Sequence, residues 1–277
     1  MLNAPQTGYY NFFMSTKLEA KTLIPLSIQE RKELILHHAS LIDVTHIIDE
    51  DLHIAYKYGK IIYSIASGYF DYQIQKDNYN YSILELETQS KLISNKTDKF
   101  ADEFITWLKA DFEKKSAILE HHPNPQNLFE LCGAKLLVTS NSVTRSLSTK
   151  MGQLWEEIAD ISPYVLVPEF EFGIKIKGID IVILTDEKIK FAQLKTLKGT
   201  LTGSQTNRAK KELGIHDYPL FIAAFNLGGW TFNDSKIPRI AGREFWDMIH
   251  LEYELIENHV RNMLQRIDKA FAELAAK

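Results

Sequence analysis

The chain has 277 residues, 45% of them hydrophobic and 25% charged, with a formal net charge of −4, the proportions of a globular protein long enough to bury a sizeable core. An acidic balance excludes a histone-like or broadly basic nucleic-acid coat protein, while leaving room for a local basic patch. The single cysteine, Cys132, excludes an intrachain disulfide framework, and the opening MLNAPQTGYYNFF carries neither a basic region nor a long apolar run; no secretory signal and no membrane span is expected, and the expected location is the cytoplasm.

Residues 1–130 are poor in glycine and read as mainly helical. Ser27 caps a first helix that carries Ile28, Leu34 and Ile35 and breaks near Asp43. Leu52–Ser67 is a second helix, with Ile54, Tyr58, Ile61, Ile62 and Ile65 on one side, and Asp98–Leu119 is a third, with Phe104, Trp107, Leu108 and Phe112. Aromatic residues are dense from Tyr56 to Tyr81, and without basic companions they read as core or interface. The run His121-His122-Pro123-Asn124-Pro125 ends the third helix and marks a boundary between a 1–130 region and a 131–277 region. His37-His38 and His121-His122 lack cysteine or carboxylate companions at zinc-ligand spacing and read as surface or cap residues. No glycine-rich phosphate loop, nucleophile elbow or kinase signature occurs.

Ala134–Thr139 reads as a short strand, and Ser140-Asn141-Ser142 as the cap of a helix from about Val143 to Ile161. That helix has the stripe Val143, Leu147, Met151, Leu154 and Ile158, with Gly152 and Glu156 one turn apart on another side. Val165–Lys177 alternates apolar and polar residues and is expected to be a strand. The apolar phase then switches from even to odd positions at Gly178, which predicts a bend that re-aims Asp180.

Gly178–Lys195 reads as a hairpin. Ile179, Ile181 and Ile183 alternate on its first strand, and Ile189, Phe191 and Leu194 supply apolar residues on its second. If Asp186 and Glu187 form a two-residue loop, counting outward puts Asp180 opposite Gln193, with Lys195 two residues further along the same face. A carboxylate, an amide and an ammonium on one face of an apolar hairpin must reach water or bind something. A hydrated metal ion with a phosphate satisfies all three; the bland alternative is a surface ion pair between Asp180 and Lys195.

Beyond the hairpin, Thr196–Ser204 is a polar loop leading to a helix on which Thr202 and Gln205 have the spacing of a capping box. From Asp186 to Lys211 the basic residues Lys188, Lys190, Lys195, Lys198, Arg208, Lys210 and Lys211 face two acids, Asp186 and Glu187, a positive field suited to a phosphate backbone. Lys198, Thr202, Ser204, Gln205, Arg208 and Lys211 are the expected DNA contacts. Pro219–Leu227 is a buried strand, Gly228-Gly229 turns it, Trp230–Phe232 returns alongside, and Ile240–Trp246 leads into a helix through Ile249. A last helix runs from about Glu252 to Ala276.

An Asp on one strand followed by an x-Lys element on the next resembles the core of the PD-(D/E)XK nuclease superfamily, which includes many type II restriction endonucleases. Here the Asp is Asp180 and the second element is Gln193-Leu194-Lys195, with Gln in the usual acidic position and Ile179 where a Pro would stand. Gly152 to Glu156 is similar to the family's Gly-x-x-x-Glu helix, whose acid leans into the metal site, and Gly242-Arg-Glu-Phe-Trp246 is similar to the segment that follows the core sheet in some restriction endonucleases. The resemblance covers about Val143 to Ile249. It implies an α/β (α+β) protein with a mixed central sheet flanked by helices, a restriction-endonuclease-like core and a mainly helical N-terminal part. It further implies Mg²⁺ held by Asp180, Gln193 and Glu156, with Glu157 and Glu169 as rival acids, and catalysis by Asp180, Gln193, Lys195 and Glu156. The implied substrate is double-stranded DNA cut at specific sites by a homodimer. A repair or recombination nuclease, and a non-catalytic DNA-binding module on a decayed nuclease core, are the alternatives.

Overall fold

The computed structural model describes residues 18–76, 85–121, 131–132 and 134–276. The chain divides into two units, Met1–Leu84 with Ala159–Leu251, and Glu85–Ile158 with Glu252–Lys277. Both take chain from either side of residue 130. No helix among the described residues is long and apolar enough to cross a membrane.

The first unit is built on a mixed sheet of five strands in the order β1 (Val165–Leu166), β2 (Ile181–Thr185), β3 (Lys188–Leu197), β4 (Pro219–Phe225) and β5 (Arg239–Ala241). β1 to β3 form an antiparallel meander, and β4 and β5 add in parallel. The parallel step from β3 to β4 requires a crossover, supplied by a helix over Gly203–Gly214. With helices α1 (Ala20–Leu23), α2 (Ile28–Ser40), α3 (His53–Lys76), α6 (Pro168–Phe172), α7 (Gly203–Gly214) and α8 (Arg243–Met248) around the sheet, the expected mixed α/β class holds.

Local chemistry explains most boundaries. Ser27 caps α2 through a capping box, its N–H donating to Glu30 Oε2 at 2.8 Å. The α2 and α3 helices then deliver Leu34, Ile35, Ile62, Ile65, Tyr69 and Phe70 to a core that includes Val182, Phe191 and Phe221. Arg31 fastens the elements beside this core: its Nε donates to the Leu23 carbonyl at 3.0 Å, Nη2 to the Ile24 carbonyl at 2.7 Å, and Nη1 to the Glu171 carboxylate on α6. Such multiple carbonyl and carboxylate contacts suit the fork geometry of a guanidinium. At the far edge, Trp246 Nε1 donates to the Ala224 carbonyl at 2.8 Å and fixes α8 to β4.

Among its described residues the second unit has three long helices, α4 (Leu86–His121), α5 (Lys135–Ala159, whose last residue belongs to the first unit) and α9 (Tyr253–Ala275). Arg266 on α9 forks onto Asp98 (2.7 Å) and Asp102 (2.6 Å) of α4, and Lys96 of α4 pairs with Glu157 of α5 at 3.7 Å.

Three expectations are corrected. Residues 134–139 are not a strand, because the apolar stripe expected from Val143 onward already begins at Val138 and one helix starts at Lys135. Ser140-Asn141-Ser142 therefore lies inside α5 and caps nothing. Residues 165–177 are not one strand either: pairing stops after Leu166, Pro168 occupies the first turn of α6, and Gly173 closes it with φ +64°. A proline at helix start and a left-handed glycine at its end override the alternating pattern. Trp230–Phe232 does not return beside β4; the chain loops to β5, which runs parallel to β4.

His216, just beyond α7, is a buried imidazole that the sequence did not single out. Its ring stacks on Phe191 (4.9 Å, 18°), and a Cβ on Gly59 would fall 2.3 Å from Nδ1. Burial pushes its pKa down to about 4; Asp217 opposes the shift and Lys60 adds to it. The folded state therefore keeps the ring neutral, and stability is lost as pH falls from the unfolded value of 6.5 toward about 4. Urea unfolding at pH 8 and pH 5 is expected to show a loss of about 2 kcal/mol in the wild type that His216→Phe does not share.

Candidate functional site

The β2–β3 hairpin forms the site. Asp186 (φ +50°) and Glu187 (φ +58°) make a two-residue turn with both central residues left-handed, the conformation that matches strand twist. The ladder then runs from Thr185↔Lys188 to Ile181↔Ala192, as counting outward from that loop requires. Asp180 lies one residue outside the ladder, after the bend at Gly178 (φ +80°). Its N–H donates to the Ala192 carbonyl at 2.9 Å, while its Oδ2 accepts from the Leu194 N–H at 2.7 Å and from Lys195 Nζ at 3.4 Å.

Asp180 and Lys195 are thus brought together, with side chains 25% and 26% exposed, within reach of solvent. Gln193 stands two residues before Lys195 and on the same face of β3. It is buried, and its Oε1 has no hydrogen-bond partner. An orphaned amide oxygen is costly unless something outside the chain satisfies it. Mg²⁺ commonly uses one or two protein oxygens and keeps several waters. One carboxylate and one unpartnered amide oxygen fit such a sparsely ligated ion, although no group of three His, Cys, Asp or Glu residues is gathered for a metal among the described residues.

The expected third acid stands elsewhere in the chain. Glu156 is on α5, in the second unit, half-buried and engaged in contacts of its own. Gly152 has nothing within 4 Å of an added Cβ, so no close packing there demands glycine. Glu157 is paired with Lys96, and Glu169 with Lys175 at 3.0 Å.

The residues expected to contact DNA are distributed around α7. The N–H of Thr202 donates to Gln205 Oε1 at 2.8 Å, forming the expected capping box. Ser204, Arg208 and Lys211 line a cavity of about 420 Å³ with Asp49, Asp51 and Lys177. Within it Lys211 pairs with Asp49 (3.6 Å) and Lys177 with Asp51 (3.8 Å). Arg208 Nε donates to Glu212 at 2.6 Å, so these cations are locally neutralised. Lys198 instead lies at the end of β3, 6.0 Å from the centre of the Trp230 ring.

Glu212 is the acid that sequence reasoning passed over. It is buried on α7, and a Cβ on Gly178 would fall 2.3 Å from its own Cβ. The helix therefore packs directly on the turn that presents Asp180, which gives the phase switch at Gly178 a second cause besides its positive φ. The spacing Arg208…Glu212 was the available signal.

No protein-family model matches the sequence, and comparison with curated proteins and with solved structures returns no significant match. The site's own geometry therefore carries the functional reading. If the orphaned oxygen of Gln193 is a cost accepted for binding, Gln193→Met is expected to stabilise the protein by about 1 kcal/mol in chemical denaturation. Unchanged or lowered stability would show that the amide is already satisfied.

Proposed function

We propose that this protein is a Mg²⁺-dependent endonuclease that hydrolyses phosphodiester bonds of double-stranded DNA at specific sites, as type II restriction endonucleases do. The observation that carries this reading is the contact of Asp180 with Lys195 across the hairpin, beside the unpartnered oxygen of Gln193. Coarser support comes from the sheet around it: the β2–β3 hairpin is joined through the crossover helix α7 to the parallel strand β4 in a mixed sheet flanked by helices.

When bound, Mg²⁺ would supply Lewis-acid polarisation of the scissile phosphate and a more acidic water. Asp180 and Gln193 would hold it. The ammonium of Lys195 offsets charge that accumulates on the phosphate oxygens and orients the attacking water by hydrogen bonding. Asp180 keeps Lys195 aimed, since the two share an oxygen contact before any substrate arrives. In a homodimer each protomer would cut one strand of a symmetric site.

A second reading is favoured by one observation: Asp180 Oδ2 is already engaged by the Leu194 N–H and by Lys195. With Gln in the usual acidic position, the same hairpin could serve a non-catalytic DNA-binding module.

Incubation of the purified chain with long duplex DNA, in Mg²⁺ and in EDTA, separates the two. Discrete fragments requiring Mg²⁺ are expected from the wild type, none from Asp180→Ala or Lys195→Ala, and residual cleavage from Gln193→Glu. Wild-type-like cutting by Asp180→Ala overturns the assignment. DNA binding without cutting in any metal favours the binding module.

A further inference from the structure

The carboxyl ends of β3 and β4 are followed by two loops, 198–202 and 226–238, that are joined to each other. The Thr231 N–H donates to the Lys198 carbonyl at 3.2 Å, and a Cβ on Gly199 would lie 3.3 Å from the Gly229 carbonyl oxygen. Trp230, half-buried between them, rests edge-on against Phe221 of β4 (6.2 Å, 64°), which stacks on Phe232 (4.2 Å, 5°). The indole is thus anchored from below by the core.

Two cations gather on that ring. Arg239 lies 5.2 Å from its centre and Lys198 6.0 Å, and Arg239 Nη1 also donates to the Phe232 carbonyl. Neither has a carboxylate within ion-pair distance among the described residues. Several nearby cations are instead paired: Lys190 with Asp186, Lys195 with Asp180, Arg208 with Glu212, Lys210 with Asp234 and Lys211 with Asp49. In a chain of net charge −4, two uncompensated cations held by an aromatic face are a local excess of positive charge. Cation–π contact and the carbonyl hold them in place without cancelling that charge. Leu197, at the end of β3, and Leu227, in the second loop, are exposed.

We propose that the Lys198–Trp230–Arg239 cluster is a docking surface for the phosphodiester backbone of DNA, with the two cations on phosphates and Trp230 as their positioning residue. This rests on the nuclease reading, because the cluster continues the strand that carries Lys195. Lys198 follows Lys195 by three residues, about 10 Å of extended chain, which corresponds to about three base-pair rises along a duplex. The carboxyl ends of parallel strands are also where open α/β sheets place their ligands. The cluster would therefore set where the strand lies when a phosphate reaches Asp180 and Lys195.

The test is fluorescence anisotropy of a dye-labelled 30-base-pair duplex with the full chain in EDTA, titrated with salt. For every phosphate that a variant no longer neutralises, the slope of log affinity against log salt should fall by about 0.9. Lys198→Gln and Arg239→Gln are each expected to lower it by about one, and the double variant by about two, with at least tenfold weaker binding at low salt. Trp230→Leu should weaken binding several-fold, and Trp230→Phe should restore most of it, a rescue that loss of folding would not give. A double variant with wild-type slope and affinity overturns the proposal, as does a wild type that binds no duplex or that prefers a labelled RNA duplex. Cleavage in Mg²⁺ is read separately. Reduced slopes with no cleavage by the wild type keep the docking surface and reject the nuclease, whereas cleavage with unaltered slopes keeps the nuclease and rejects the surface.

Discussion

Strand β3 is paired antiparallel to β2 over Lys188–Ala192 and parallel to β4 from Phe191 to Leu197, so that the two partners together span its ten residues and overlap at Phe191 and Ala192, and the first unit depends on that double pairing. A strand held on both sides cannot slip by one residue without turning Ile189 and Phe191 out of the core and Ala192 and Leu194 onto the wrong face. The same constraint fixes which face receives Gln193 and Lys195. Polar residues could occupy that face because β3 is long enough to carry its apolar anchors first and its functional groups afterwards. The price is one unpartnered amide oxygen, set within a sheet whose remaining pairing holds the strand in register.

Around β3, the two neighbours act in different ways. β2 supplies Asp180 through a short connection that bends at Gly178, and α7 presses Glu212 against the same bend. β4 contributes little polar chemistry, but its end carries the loop that holds Trp230. Electrostatics divides accordingly. Most cations near the site sit opposite carboxylates in partly exposed pairs worth little to stability, pairs that a phosphate could replace at small cost. Those on Trp230 need no such exchange.

Much of this arrangement was legible in the sequence, because hairpin register follows from loop length once Asp186 and Glu187 are identified as the turn. The Asp180–Lys195 encounter, the cap at Ser27, the capping box at Thr202, and the apolar strand from Pro219 all follow from local rules. What was not legible depends on competition between rules. Alternation in residues 165–177 reads as a strand until Pro168 and Gly173 are weighed as helix punctuation. Residues 134–139 read as a strand because their apolar residues are consecutive, and the place of Val138 on the buried side of α5 emerges only over a longer window. Glu212 and His216 were passed over because burial of a polar side chain is decided by which turn or ring packs on it, and spacing along the chain does not report that.

The interleaved origin of the two units has a consequence for how the protein is made. Synthesis completes the sheet-bearing unit at Leu251, before any of α9 has been added. Until then α4 has been displayed on the nascent chain with Asp98 and Asp102 lacking Arg266, and with the Gln89 side chain, buried in the finished protein, lacking the Glu252 N–H it will accept. The helical unit is therefore closed only after the sheet-bearing unit has been synthesised, when α9 emerges. A chain stopped short near residue 251 keeps a full set of strands and an unclosed pair of helices, a half-built species with an uncovered apolar stripe for chaperones and proteases to recognise.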